Sequence, residues 1–137
     1  MKLTPKRIRS DSTKAALQAH QNAACEPLEP PPYVTLPEPC EPFWRGIVTS
    51  RARDLWTETD LVQAVNLARV QYALESAEVG SDEHAKLTRL AMALARAVAV
   101  HPTATAGRAA NQAGANELER AARAEQDDEL IPRLRAV

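Results

Sequence analysis

Few side chains in this 137-residue chain have the type and spacing that could do chemistry. His20, His84 and His101 stand far apart, and none lies three or four residues from another ligand candidate, as a metal site on one helix requires. Cys25 and Cys40 do not form a CxxC pair. The four glycines, Gly46, Gly80, Gly107 and Gly114, are isolated and build no phosphate loop. The acid pair Asp127-Asp128 falls in a polar tail, which cannot exclude water or tune a carboxyl group for proton transfer. The expectation is a protein that is not an enzyme and needs no metal or cofactor.

The side chains that could act on a partner are cations and aromatics. Residues 43–61 hold the only Phe, both Trp and three arginines, Arg45, Arg51 and Arg53. Ahead of them Lys2, Lys6, Arg7, Arg9 and Lys14 face Asp11 alone within the first 25 residues. These eight cations are the candidate phosphate contacts, each adding to the salt dependence of nucleic-acid binding. No recognition helix with exposed Arg, Asn and Gln stands out, so a helix-turn-helix is not read here. Trp44 and Trp56 are expected in the core, clamping a first helix onto a helical hairpin.

Charge is uneven along a chain whose net charge is −1. Residues 26–42 carry Glu26, Glu29, Glu38 and Glu41 and no cation, and residues 117–129 carry six acids against Arg120 and Arg123. A basic head and an acidic end imply two different surfaces. No apolar run succeeds the first basic residues and no stretch is long enough to cross a bilayer, so a cytosolic protein with free thiols is expected.

These residues must be positioned by helices. Eight of the ten prolines lie in the first 42 residues, so the division expected is a flexible basic arm over 1–26, a proline-rich spacer over 27–42 favouring polyproline II, a helical core over 43–100, and a C-terminal helix with an acidic tail over 101–137. Ser10-Asp11-Ser12 offers a cap for a short, marginal helix from Lys14. The core begins with a short helix from Pro42 or Phe43 to about Ala52. Thr57-Glu58-Thr59-Asp60 then marks a capped start. Beyond it Leu61, Val65, Ala68 and Tyr72 form one stripe, and Ala64, Leu67 and Leu74 a second. Gly80 reads as the end of that helix and Ser81 as the cap of the next, which carries Leu87, Leu90, Leu94 and Val98 and stops at His101-Pro102. A fourth helix over about 104–125 is alanine-dominated. The fold class is all-α: a helical hairpin with a short leading helix and an Ala-rich C-terminal one. Two apolar faces on one helix exceed what a hairpin partner covers, which points to self-association through Leu61, Val65, Leu67, Ala68, Tyr72, Leu74, Leu87, Leu90, Leu94 and Val98.

From Phe43 to Arg69 the chain resembles the small terminase subunits of tailed bacteriophages. The features are a Pro-rich lead, Phe43-Trp44, the step Ser50-Arg51-Ala52-Arg53-Asp54-Leu55-Trp56-Thr57, then Asp60-Leu61 opening a helix that carries Leu67-Ala68-Arg69. The resemblance implies a non-catalytic homo-oligomeric ring of more than four copies in the host cytoplasm. It would recognise viral double-stranded DNA and hand it to the large ATPase and nuclease subunit. It also implies that the arm, Arg45, Arg51 and Arg53 touch DNA, that the hairpin is the subunit interface, and that the tail ending Leu130-Ile131-Pro132-Arg133-Leu134 contacts the partner. Many members of that family place a helix-turn-helix domain before the hairpin, where this chain is Pro-rich. Two other classes fit the composition: a small dimeric transcription regulator, and a structural scaffold with no nucleic-acid role.

Overall fold

The fold is seen in a computed structural model, which describes residues 12–101 and 108–127. Among them every regular element is helical: α1 (Thr13–Ala24), α2 (Glu41–Thr49), α3 (Glu58–Ser76), α4 (Asp82–Ala97) and α5 (Arg108–Gln126). Short 3₁₀ turns precede α2 (Glu38–Cys40) and α3 (Arg53–Leu55). The all-helical expectation holds for these residues.

Helix α3 is the centre of the molecule. Its start is the capping box read from sequence: the Thr57 hydroxyl accepts from the Asp60 amide at 3.2 Å and the Asp60 carboxylate accepts from the Thr57 amide at 3.3 Å. Both α2 and α4 pack on it, and Ala64, Val65, Leu67 and Ala68 are buried among Trp44, Ile47 and Val48 of α2 and Val98 beyond α4. Phe43 meets Tyr72 edge-on, ring centroids 6.4 Å apart. Helix α3 ends at Ser76, four residues before Gly80; Gly80 instead supplies the left-handed residue (φ 90°) of the turn, which a hydrogen bond donated by the Ser81 N–H to the Glu78 carbonyl closes. Ser81 caps α4, accepting from the His84 amide at 3.1 Å.

Helix α4 stops at Ala97, short of Pro102. The Val100 amide bonds back to the Ala95 carbonyl and that of Ala99 to Arg96, with Ala99 at φ 56°. That is a Schellman ending in which alanine occupies the position usually held by glycine.

The proline-rich segment is not a bare spacer. The Val34 amide bonds to the Pro31 carbonyl at 2.9 Å, so Pro31–Val34 is a turn that interrupts any polyproline helix. Leu28, Val34 and Leu36 pack against the core, the Trp44 indole donates to the Leu28 carbonyl at 3.0 Å, and Arg69 of α3 holds the Thr35 carbonyl. Residues 25–40 thus form a strap across α2 and α3. Covering α3 in this way removes much of its apolar surplus.

Nor is the end of the basic arm a tail. Ser12 caps α1 by accepting from the Ala15 amide at 3.2 Å, and α1 lies along α5. The buried side chains of the pair are small or polar: Ala19, Asn22 and Ala23 in α1, and Asn116, Glu119 and Ala122 in α5. Helices of this composition hold because their backbones come close, not through large apolar residues.

Candidate nucleic-acid interface

The cations nominated by the sequence have three different fates. Lys2, Lys6, Arg7 and Arg9 lie outside the described residues. Lys14 is exposed near the start of α1, and Arg45 is exposed on α2 with Glu41 at 3.7 Å as a solvent-screened companion.

Arg51 is the correction. It is 8% exposed, in the connection between α2 and α3. Its guanidinium donates to the Val98 carbonyl at 2.9 Å, to the Leu55 carbonyl, and to the Asp60 carboxylate at 3.1 Å. It also lies 4.9 Å from the centre of the Trp56 ring, whose indole N–H donates to the Arg51 carbonyl at 3.2 Å. One side chain therefore ties the end of α4, the 3₁₀ turn and the cap of α3 together. No phosphate can reach it without unmaking the core. Its Nε is the single buried side-chain polar atom without a partner among the described residues.

Arg53 is also committed, though less deeply. Its guanidinium holds the Glu26 carbonyl at the head of the strap, and its backbone N–H donates to Glu119 of α5 at 2.8 Å. Asn116 donates to the Ser50 carbonyl at 2.8 Å, so α5 is fastened to the same connection from which Arg51 points inward. Arg53, Arg120 and Arg123 border a small cleft of about 130 Å³ there, with Glu119 and Glu26 between them. Glu119 bonds Arg123 at 3.4 Å and balances part of that charge.

Several residues assigned to the subunit interface are likewise internal. Val65, Leu67, Ala68 and Val98 are filled in by the chain's own α2, α4 and strap, because the strap, a spacer by its sequence, covers α3. Leu61 and Leu94 are half-buried against the same core, and Leu74 and Leu87 are half-buried. Only Tyr72 and Leu90 of the set remain exposed, at 43% and 47%.

Sequence reasoning missed the basic side of α4. Lys86, Arg89 and Arg96 are exposed and make no ion pair among the described residues. Their spacing is visible in the sequence, but by itself it marks only the polar side of a helix. No cluster of three or more His, Cys, Asp or Glu able to hold a metal occurs among the described residues, and no described helix is long and apolar enough to cross a membrane.

The described residues thus define a small helical protein whose Arg51, Arg53 and Arg69 are spent on its own backbone carbonyls. Comparison with known proteins gives the rest. Residues 1–88 and 81–137 match the model of the Hendrixvirinae small terminase family. The chain is 34% identical to the terminase small subunit of Enterobacteria phage HK97, over 94% of its own length and 96% of that protein. The chain belongs to the Hendrixvirinae small terminase family, and is therefore a phage small terminase subunit with a role in packaging viral DNA.

Proposed function

We propose that the chain is the non-catalytic, DNA-recognising component of its terminase. It works in the host cytoplasm as a homo-oligomeric ring of more than four copies. It binds viral double-stranded DNA through Lys2, Lys6, Arg7, Arg9 and Lys14 and recruits or regulates the large ATPase and nuclease subunit. The acidic end of the chain, outside the described residues beyond Asp127, is the candidate contact for that partner.

The observation that carries the assignment of DNA contact is the withdrawal of Arg51 and Arg53 into the fold. Of the eight nominated cations it leaves the five of residues 2–14 and Arg45, with Lys14 exposed on α1. Arg45 is a secondary contact on α2. Helix α1, which carries Lys14, packs along α5 and buries Ala19, Asn22 and Ala23.

The test is duplex-DNA binding by fluorescence anisotropy across a salt series. Each phosphate contact contributes about 0.9 to the slope of log K against log salt, so changing all five arm cations to glutamine should flatten it by up to about 4.5. An unchanged slope refutes the assignment. Light scattering after gel filtration tests the assembly: two copies would favour a dimeric regulator, one copy would refute self-association.

A further inference from the structure

We propose that the outer face of α4 docks head-to-tail into the acidic groove beside the strap of the next copy. The proposal rests on the homo-oligomer proposed above and specifies its joint.

Lys86, Arg89 and Arg96 recur at spacings of three and seven along α4, so they share one stripe of the helix. Leu90 and Met92 flank that stripe on either side, at 47% and 41% exposure. Cations alone would suit a phosphate backbone. Cations bordered by two large apolar side chains suit a protein surface that is partly greasy and negatively charged.

The same molecule carries such a surface. The strap and the start of α2 enclose an open groove of about 650 Å³. Leu28, Val34 and Leu36 supply apolar wall, and Glu26, Glu29 and Glu41 border it. All three carboxylates are exposed, and Arg45 is their only cationic neighbour on the groove lining. With Arg45 paired to Glu41, the groove lining keeps an excess of carboxylates, to which the α4 stripe is complementary.

The geometry selects the mode of pairing. None of Lys86, Arg89, Leu90, Met92 and Arg96 lines the groove, so groove and stripe are separate surfaces. Two unlike, complementary surfaces of a subunit produce a heterologous contact, which closes into a ring when the rotation allows. A symmetric α4-to-α4 pair would instead set three cations against three, which costs affinity.

The experiment is a charge swap read as mass in solution at micromolar concentration by light scattering after gel filtration. One variant carries Lys86→Glu, Arg89→Glu and Arg96→Glu; the other carries Glu26→Lys, Glu29→Lys and Glu41→Lys. Each alone should fall from the oligomer to the single chain of 15.0 kDa. Their equimolar mixture, and one chain carrying all six changes, should regain the oligomer, which also shows that both variants fold. Where a reversed chain loses its helical circular dichroism, the glutamine changes at the same positions replace it, and these should weaken association at least tenfold.

Wild-type mass in the α4 variant overturns the proposal; loss of DNA binding at wild-type mass would make the stripe a phosphate surface instead. Dissociation without recovery in the mixture overturns the pairing of these two surfaces. A wild-type chain that is itself 15.0 kDa overturns the joint together with the ring, while the salt-series test of the arm stands apart from both.

Discussion

Replacing Arg51 with alanine separates the two roles this residue could have. The change removes the donor that satisfies the Val98 and Leu55 carbonyls, unpairs Asp60 and takes the cation off the Trp56 ring. Breaking a buried charged pair by removing one member costs about 3–5 kcal/mol. The Asp60 side chain is 24% exposed and keeps its bond from the Thr57 amide, so water and the cap relieve part of its loss. The Val98 carbonyl has no such relief beside a fully buried side chain, and an unsatisfied buried acceptor costs about 1–3 kcal/mol. The net loss is about 3–4 kcal/mol, a large share of the 5–15 kcal/mol typical of a folded domain.

With a urea dependence of about 2 kcal/mol/M, the midpoint should fall by between about 1.5 and 2 M. Tryptophan fluorescence reports it directly, because Trp44 and Trp56 both belong to the affected core. Arg51→Lys should recover only part of the loss, since one ammonium cannot reproduce the planar fork that reaches two carbonyls and a carboxylate. The structural role is refuted if Arg51→Ala shifts stability by less than about 1 kcal/mol, well short of the cost of breaking a buried pair, while weakening DNA binding and flattening its salt dependence. That result would return Arg51 to the phosphate contacts.

Other consequences are smaller and independent. Ala99→Gly relieves a left-handed alanine that costs about 1–2 kcal/mol, offset by the greater freedom of glycine when unfolded, so thermal unfolding should show a gain of about 0.5–1 kcal/mol. Glu119→Ala leaves the Arg53 amide without its acceptor and should speed hydrogen exchange in α1 and α5 while α3 and α4 keep their protection. Hydrogen bonding toward Glu58, with desolvation and the nearby Glu58 charge, pushes the Tyr33 phenol above its ordinary pKa of 10.0. The folded state therefore favours the protonated phenol, and any stabilisation present below that value is lost as pH rises through the raised one. An ultraviolet titration should show one tyrosine ionising late, and Glu58→Gln should bring it back.

The helices carrying their own local signals are legible in the sequence. Thr57 with Asp60, Ser81, and proline in the first turn of α2 act within three residues, and each start lies close to its expected position. The fate of Arg51 has no such signal, because its partners are 4, 9 and 47 residues away and only the folded chain assembles them. Charge type alone argues for solvent. The α1–α5 pair is hidden for another reason. Its buried face is alanine and asparagine, while Leu17, the one large apolar residue in α1, is 59% exposed. Counting large apolar residues finds cores built by them and overlooks close packing of small ones. The strap is hidden because a run of prolines argues against packing, although proline forfeits only an amide donor and its turn delivers Leu28, Val34 and Leu36 to α3.

These positions set apart two groups of cations that mutation can separate. Arg51, Arg53 and Arg69 are spent on backbone carbonyls of distant segments, so their loss should lower stability and leave the salt slope of DNA binding unchanged. The Lys14 side chain is exposed and makes no ion pair among the described residues, so its loss, with that of the cations before it, should flatten the slope and leave stability unchanged. A fold whose internal arginines were also its DNA contacts would lose structure whenever it let go of the phosphate. The proposed DNA contacts in residues 2–14 avoid that coupling, so the grip on DNA would vary while the body stays intact.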